Sequence, residues 1–261
     1  MQQTTVNGVR VAYLDEGQGG DVIIFLHGLG VSSRDWTEQV DYFCHHWRVI
    51  APDFRGHGAS DKPDSHYDIS IHANDVLGLM DQLDIDRAHL VGLSMGGMVA
   101  FQIAAMAPQR LKSMTIINSG PALPDNTFAA KKMLWTRVLS IHLLGMHRYA
   151  HKVAQSMFPG EGKEALIDIF TRQIASNPKK VYLKNLKSLF GWGVLEHLAD
   201  IEVPTLMLTG DRDYSPVAVK QAVVDAMKNA KLVVIADTGH GTPIEKPGET
   251  NEAIARFIEA V

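Results

Sequence analysis

Ala88-His89-Leu90-Val91-Gly92-Leu93-Ser94-Met95-Gly96-Gly97-Met98-Val99 passes from a short apolar run straight into an apolar helical stretch. At the junction stands Gly92-Leu93-Ser94-Met95-Gly96, a G-x-S-x-G pattern. A turn that joins a strand directly to a helix strains its central residue, and the residues two positions to either side must lack bulk. Gly92 and Gly96 meet that need. Ser94 then projects over the end of the strand, and the first N–H groups and positive dipole end of the helix converge on the same point. Ser94 is therefore a candidate nucleophile. A serine that merely caps a helix is the plainer alternative, and the strand before with the helix after argues against it.

Outward from this junction the same grammar repeats. Short, nearly continuous apolar runs occur at 22–26, 48–52, 88–92, 113–118, 204–210 and 231–236. Such runs fit strands covered on both faces. Helical patterns lie between them at 36–44, 70–83, 96–107, 217–228 and 247–260. The βαβα order implies an α/β fold, with a mostly parallel sheet and helices on both sides. Ahead of it, Val6-Asn7-Gly8-Val9 reads as a tight hairpin turn. The alternation breaks between Pro121 and Glu196, where no convincing strand is visible and three or four helices are expected. An insertion between two strands would lie over the carboxyl edge of the sheet, where open α/β folds bind ligands. The expected organisation is a core in two parts, 1–120 and 197–261, with a helical cap at 121–196.

A serine hydroxyl is a weak nucleophile unless a base stands beside it. Of twelve histidines, His240 is singled out, because Asp237-Thr238-Gly239-His240-Gly241 follows the last strand and precedes the terminal helix. That location brings it to the carboxyl edge. An acid to orient it is expected after the preceding strand, where Asp211 and Asp213 compete; one should face the histidine and the other hold the turn. A developing oxyanion needs two preorganised N–H donors, here expected from Met95 and from Leu29 in His27-Gly28-Leu29-Gly30. His27 itself reads better as a histidine that fixes this loop.

Composition narrows the function classes. The 261 residues carry a net charge of −4, which offers no overall basic field for nucleic acid. The single cysteine, Cys44, cannot form an internal disulfide and reads as a structural thiol. No signal peptide pattern opens the chain and no run of 18 apolar residues occurs, so a cytoplasmic protein without a membrane partner is expected. No clustered ligand spacing suggests a metal, and the serine chemistry calls for no cofactor.

Taken together, HGLG (27–30), DFRGHGAS (53–60), GLSMGG (92–97), GDRDYSP (210–216) and GHGTPIEKP (239–247) resemble the α/β-hydrolase superfamily. The resemblance covers the chain outside 121–196. It implies eight strands with the second antiparallel, and a cap between the sixth and seventh. Its G-x-x-D pattern falls on Asp213 and demotes Asp211, its terminal G-H falls on His240, and its Ser, Asp, His order leaves His27 too early. Epoxide hydrolases and haloalkane dehalogenases of this fold have an aspartate where Ser94 stands, so their alkyl-enzyme chemistry is excluded. Ring-fission C–C hydrolases usually have a Gly/Pro-rich run where this chain reads GVSSRDW. Enol-lactonases share a loop like RGHG and remain compatible.

These readings converge on a serine esterase acting on small or medium acyl esters through an acyl-enzyme. The alternatives are a lactonase, a carrier-bound methyl ester hydrolase, a lyase that uses the triad for proton abstraction, or a ligand receptor of the same fold. Residues 121–196 hold eleven lysines and arginines against five acids, a net of +6 that leaves −10 for the rest. Such a cap would attract an anionic substrate or an acidic acyl-carrier protein. Solubility of surface helices explains the same lysines and is the preferred reading. Trp135 and Trp192 are candidates for an acyl pocket, although docking helices need apolar faces in any case.

Overall fold

The computed structural model describes residues 1–261. The chain runs β1 (Gln2–Val6), β2 (Val9–Glu16), β3 (Val22–Leu26), α1 (Thr37–Phe43), β4 (Arg48–Pro52), α2 (Ile69–Gln82), β5 (Ala88–Leu93), α3 (Met95–Met106) and β6 (Leu111–Ile117). Then come β7 (Ala122–Leu123), α4 (Phe128–Met157), α5 (Glu164–Ala175), α6 (Lys179–Leu189) and β8 (Trp192–Gly193). The alternation resumes with β9 (Thr205–Gly210), α7 (Val217–Asp225), β10 (Ala230–Ile235), α8 (Thr242–Glu245) and α9 (Pro247–Ile258).

Eight strands form one sheet in the order β1-β2-β4-β3-β5-β6-β9-β10. β2 pairs antiparallel with both its neighbours, and every other pairing is parallel. The β1–β2 hairpin closes on the Val6–Val9 pair, with Asn7 and Gly8 at φ 48° and 76°. These are the positive values that an Asn-Gly turn supplies at low cost.

The strands bury both faces, which is why they read as unbroken apolar runs. In β3, Ile23 and Phe25 face one way and join Val40 and Phe43 of α1 with Ile254 and Phe257 of α9. Ile24 and Leu26 face the other way and join the larger core that holds α2 and α3. Side chains of this size contribute about 1.5–3 kcal/mol each when fully buried. A helix removed from either face would strand one of these sets in water.

Residues 121–196 depart from the sequence expectation in two details. α4 is one long element with a break at Gly145, whose φ of 77° and ψ of 168° are not helical. A ribbon was not anticipated either: β7 and β8 pair antiparallel through Ala122–Gly193 and Leu123–Trp192. Two-residue strands are too short for any periodicity to show. The ribbon ties the two ends of the insertion together, helped by Val194 N–H donating to Pro121 O at 2.8 Å. Tyr149, Ile174, Tyr182 and Leu186 of the insertion belong to the same apolar cluster as α2 and α3. No helix is long and apolar enough to cross a membrane.

Candidate active site

Ser94 sits between β5 and α3 with φ 54° and ψ −114°, the strained backbone that the G-x-S-x-G reading demands. The glycines have a steric reason. A Cβ on Gly92 would run into the backbone of Gly96, and one on Gly96 would run into the carbonyl of Leu26. Two bonds hold the turn: Ser94 N–H donates to Ile117 O at 3.0 Å, and Ser119 Oγ donates to Ser94 O at 2.7 Å. The Ser94 hydroxyl is in no hydrogen bond to the protein, so a link from Oγ to His240 is not closed here. Such links are often long until a substrate arrives.

The His240 ring meets Asp213, with Nδ1 2.7 Å from Oδ1 and side chains 7% and 1% exposed. A carboxylate only accepts, so Nδ1 carries the proton and Nε2 is left as the basic nitrogen. Tyr214 stacks on the ring, with centroids 4.1 Å apart. Asp211 takes the other duty: its Oδ1 accepts from Thr238 N–H at 3.3 Å and holds the turn. Burial pushes the Asp213 carboxyl up. The hydrogen bonds and charges of His240 and Lys220 outweigh it and hold that carboxyl below its ordinary value. Lys220 Nζ lies 2.5 Å from Asp213 Oδ2.

One buried side chain joins the loops that carry Asp213 and His240. Asn118, just past β6 with φ 47°, donates from Nδ2 to His240 O and Thr242 Oγ1, both at 2.9 Å, and to Gly239 O at 3.2 Å. Its Oδ1 accepts from Gly210 N–H and Thr209 Oγ1, each at 3.0 Å. From the insertion, Met157 O accepts His240 N–H at 2.8 Å.

The loop after β3 approaches the serine closely, since a Cβ on Gly28 would lie 3.6 Å from Ser94 Cβ. Leu29 N–H has no acceptor within the chain. Met95 is the first residue of α3 and has no acceptor inside the helix. His27 Nε2 accepts from Phe54 N–H at 3.0 Å, so its Nδ1 donates to Gly28 O at 2.7 Å. Both ring nitrogens are thus spent on fixing this loop, and burial lowers the pKa of the ring. Asp53 completes the clamp, accepting from Ser33 N–H at 2.8 Å and Ala59 N–H at 2.7 Å. Behind it His57 and His72 are buried as well, and burial pushes His72 down to about 4.

The structure brings Ser94, Met95 and the Gly28–Leu29 loop together, and places His240 on Asp213. It does not bring the two tryptophans there. Trp135 is 72% exposed on α4. Trp192 donates its indole N–H to Gln102 Oε1 at 2.7 Å and borders a groove beside Asp64–Ser70. Asn118 and Lys220 were missed by sequence reasoning. The only hints are an asparagine closing a strand and one lysine inside the apolar run VAVKQAVV. No group of three His, Cys, Asp or Glu side chains is arranged to hold a metal ion.

This combination of sheet, serine turn and histidine loop defines the class. The family model described as the alpha/beta hydrolase fold matches residues 21–247, and the chain belongs to that family. It is similar to a putative carbamate hydrolase of Caulobacter vibrioides, 27% identical over 92% of this chain and 91% of the other. Among solved structures it is similar to the enol-lactonase of Burkholderia xenovorans, at 26% identity and a TM-score of 0.91 over 99% of this chain and 100% of that one. It is similar also to a thermophilic esterase of Thermogutta terrifontis, at 25% identity and a TM-score of 0.91 over 100% and 99%.

Proposed function

We propose that the chain is a serine hydrolase that cleaves carboxylic esters of small or medium acyl groups through an acyl-enzyme. The observation that carries this reading is the strained turn at Ser94, with free N–H groups beside it, on the same rim as a histidine whose Nδ1 is committed to a buried carboxylate. Ser94 Oγ attacks the ester carbon while its proton passes to His240 Nε2. Asp213 keeps the imidazole in the required tautomer and balances the imidazolium. The N–H groups of Leu29 and Met95 receive the negative oxygen. The C–O bond to the alcohol breaks as Nε2 returns the proton to that alcohol. Water then attacks the acyl carbon and gives its proton to Nε2. The acid leaves as Ser94 Oγ takes the proton back. Residues 121–196 form the cap over this rim and shape the acyl pocket.

The likeness to an enol-lactonase over the full length favours a second reading, a lactone substrate. A lactone is an internal ester. The same steps apply, except that the leaving oxygen stays tethered to the acyl group. A kinetic screen over ester chain lengths and lactones separates the two.

Replacement of Ser94 by alanine tests the chemistry itself. Turnover of p-nitrophenyl butyrate should fall by about 10⁴-fold or more in kcat, with the fold retained by circular dichroism. Residual activity near wild type would overturn the assignment. Wild-type multiple turnover is expected; a single slow acylation would instead indicate a receptor of the same fold.

A further inference from the structure

The acid beneath His240 has two partners, and the second is unusual. Lys220 Nζ lies 2.5 Å from Asp213 Oδ2 and 2.5 Å from Ser215 O. The lysine side chain is 2% exposed and the aspartate 1%. Lysine is almost never buried this deeply unless paired, because its ammonium gives up water. A neutral donor would satisfy Oδ2 with far less desolvation. What only a cation adds is a full positive charge behind the carboxylate, facing the imidazole across it.

We propose that Lys220 is a positioning residue which, through Asp213, holds the carboxylate ionised and loosens the grip of the Asp213–His240 pair on an extra proton. The site would then stay competent at a lower pH than an aspartate–histidine pair alone allows. This rests on the serine-hydrolase reading given above. The charge geometry is direct: an imidazolium must share Asp213 with an ammonium already seated on it, and the two cations repel.

The other groups around the pair do not duplicate this role. Tyr214 covers the imidazole, with Arg137, Tyr149 and Tyr182 of the insertion facing that phenol. Arg212 pairs with Asp237 at the surface, and Asp211 is bonded to Thr238 N–H. Glu245 of α8 accepts from Gly239 N–H at 2.8 Å and pairs with Lys163 at 3.3 Å. Against burial, the influences that hold the Asp213 carboxyl down come from His240 and Lys220 alone.

The test is the pH profile of kcat/KM on a neutral ester, for wild type, Lys220→Met, Lys220→Gln and Lys220→Arg. Loss of the charge should move the acid limb up by about one pH unit, a tenfold loss of kcat/KM on that limb. Lys220→Arg should restore the wild-type profile. With activity divided at each pH by the folded fraction read from circular dichroism, the position of the limb reads the charge even where Lys220→Met is unstable. Lys220→Gln keeps a donor to Oδ2 in case the methionine variant cannot be made. A profile unmoved in both neutral variants would overturn the proposal and leave the lysine a structural prop. Ser94→Ala assayed beside them keeps the two ideas apart, since activity in that variant would sink the hydrolase reading itself.

Discussion

The rim of the sheet and the insertion at 121–196 solve opposite problems with the same chain. At the rim, buried polar side chains are tied together by hydrogen bonds, while the Ser94 hydroxyl and the Leu29 N–H stay free. Asn118 alone makes five hydrogen bonds, to partners 91 to 124 residues away from it in sequence. On the insertion, α4 exposes Phe128 (84%), Trp135 (72%), Leu139 (56%) and Leu143 (72%), and its buried face meets the core through apolar packing. Polar links between insertion and core are scattered along the seam and include Gln173 to Asp35, Asn177 to Gly30, Asn185 to His72, Trp192 to Gln102, Met157 O to His240 N–H, and the lysine contacts to Asp64, Ser65 and Glu245. A network of buried hydrogen bonds has one low-energy arrangement, whereas apolar contact tolerates sliding. On the proposed reading, the contrast would place geometry-critical chemistry at the rim and leave adaptable substrate contact to the insertion.

The largest effect should therefore come from the rim. Asp213→Asn leaves the packing intact but lets the amide donate where His240 Nδ1 needs an acceptor. A loss of about 10⁴-fold in kcat is expected, the scale seen when a triad acid becomes an amide. Asp211→Asn should change kcat by only a few-fold, because its partner is the Thr238 N–H and the amide oxygen still accepts. Equal losses in the two variants would break the distinction between catalytic and turn-holding acid.

How much of this contrast the sequence reveals follows from how local each signal is. The strands, the helices and the Ser94 turn are legible because each depends on residues within a few positions of one another. His240 stands out by its place after the last strand. The two acids are separated by the superfamily pattern, not by residue chemistry, since Asp211 and Asp213 lie in one polar turn. Asn118 and Lys220 are invisible for the opposite reason: their partners are brought to them only by the fold. Lys220 reads as an ordinary helix-surface lysine until α7 docks and turns it onto Asp213. Trp192 reads as pocket lining until the ribbon commits its indole to Gln102.

A smaller, pH-dependent effect belongs to the seam between the two regions. Asp35 accepts from Gln173 Nε2 at 2.9 Å, while its Oδ2 is fully enclosed and has no partner. Burial, the dominant cause, pushes this carboxyl up to about 7. In the unfolded chain it titrates near the ordinary value of 3.8. Between those limits the folded state holds the proton that the unfolded state has released, so stability falls as pH rises from about 4 to about 7. Asp35→Asn should remove that slope: melting temperatures equal to wild type near pH 4, and higher by a few degrees at pH 8. Parallel curves for the two proteins would show that the seam does not sense the charge.

The smallest effect should be seen on the insertion's surface, and it decides whether its charge has a use. α4 carries Lys131, Lys132, Arg137, Arg148 and Lys152, contains no acid, and has none of these cations in an ion pair. By contrast Lys180 and Lys184 both close on Asp64 of the core, so they serve as a clasp instead of a lure. If the free cations draw in an anionic ester or an acidic acyl-carrier protein, kcat/KM for such a substrate should drop several-fold between low salt and about 0.5 M, because exposed charges are screened beyond a few ångströms there. A neutral ester of the same acyl length should be unaffected. Equal, flat responses for both would reduce the positive surface to a means of keeping an apolar helix in solution, and would leave the acyl pocket alone to set specificity.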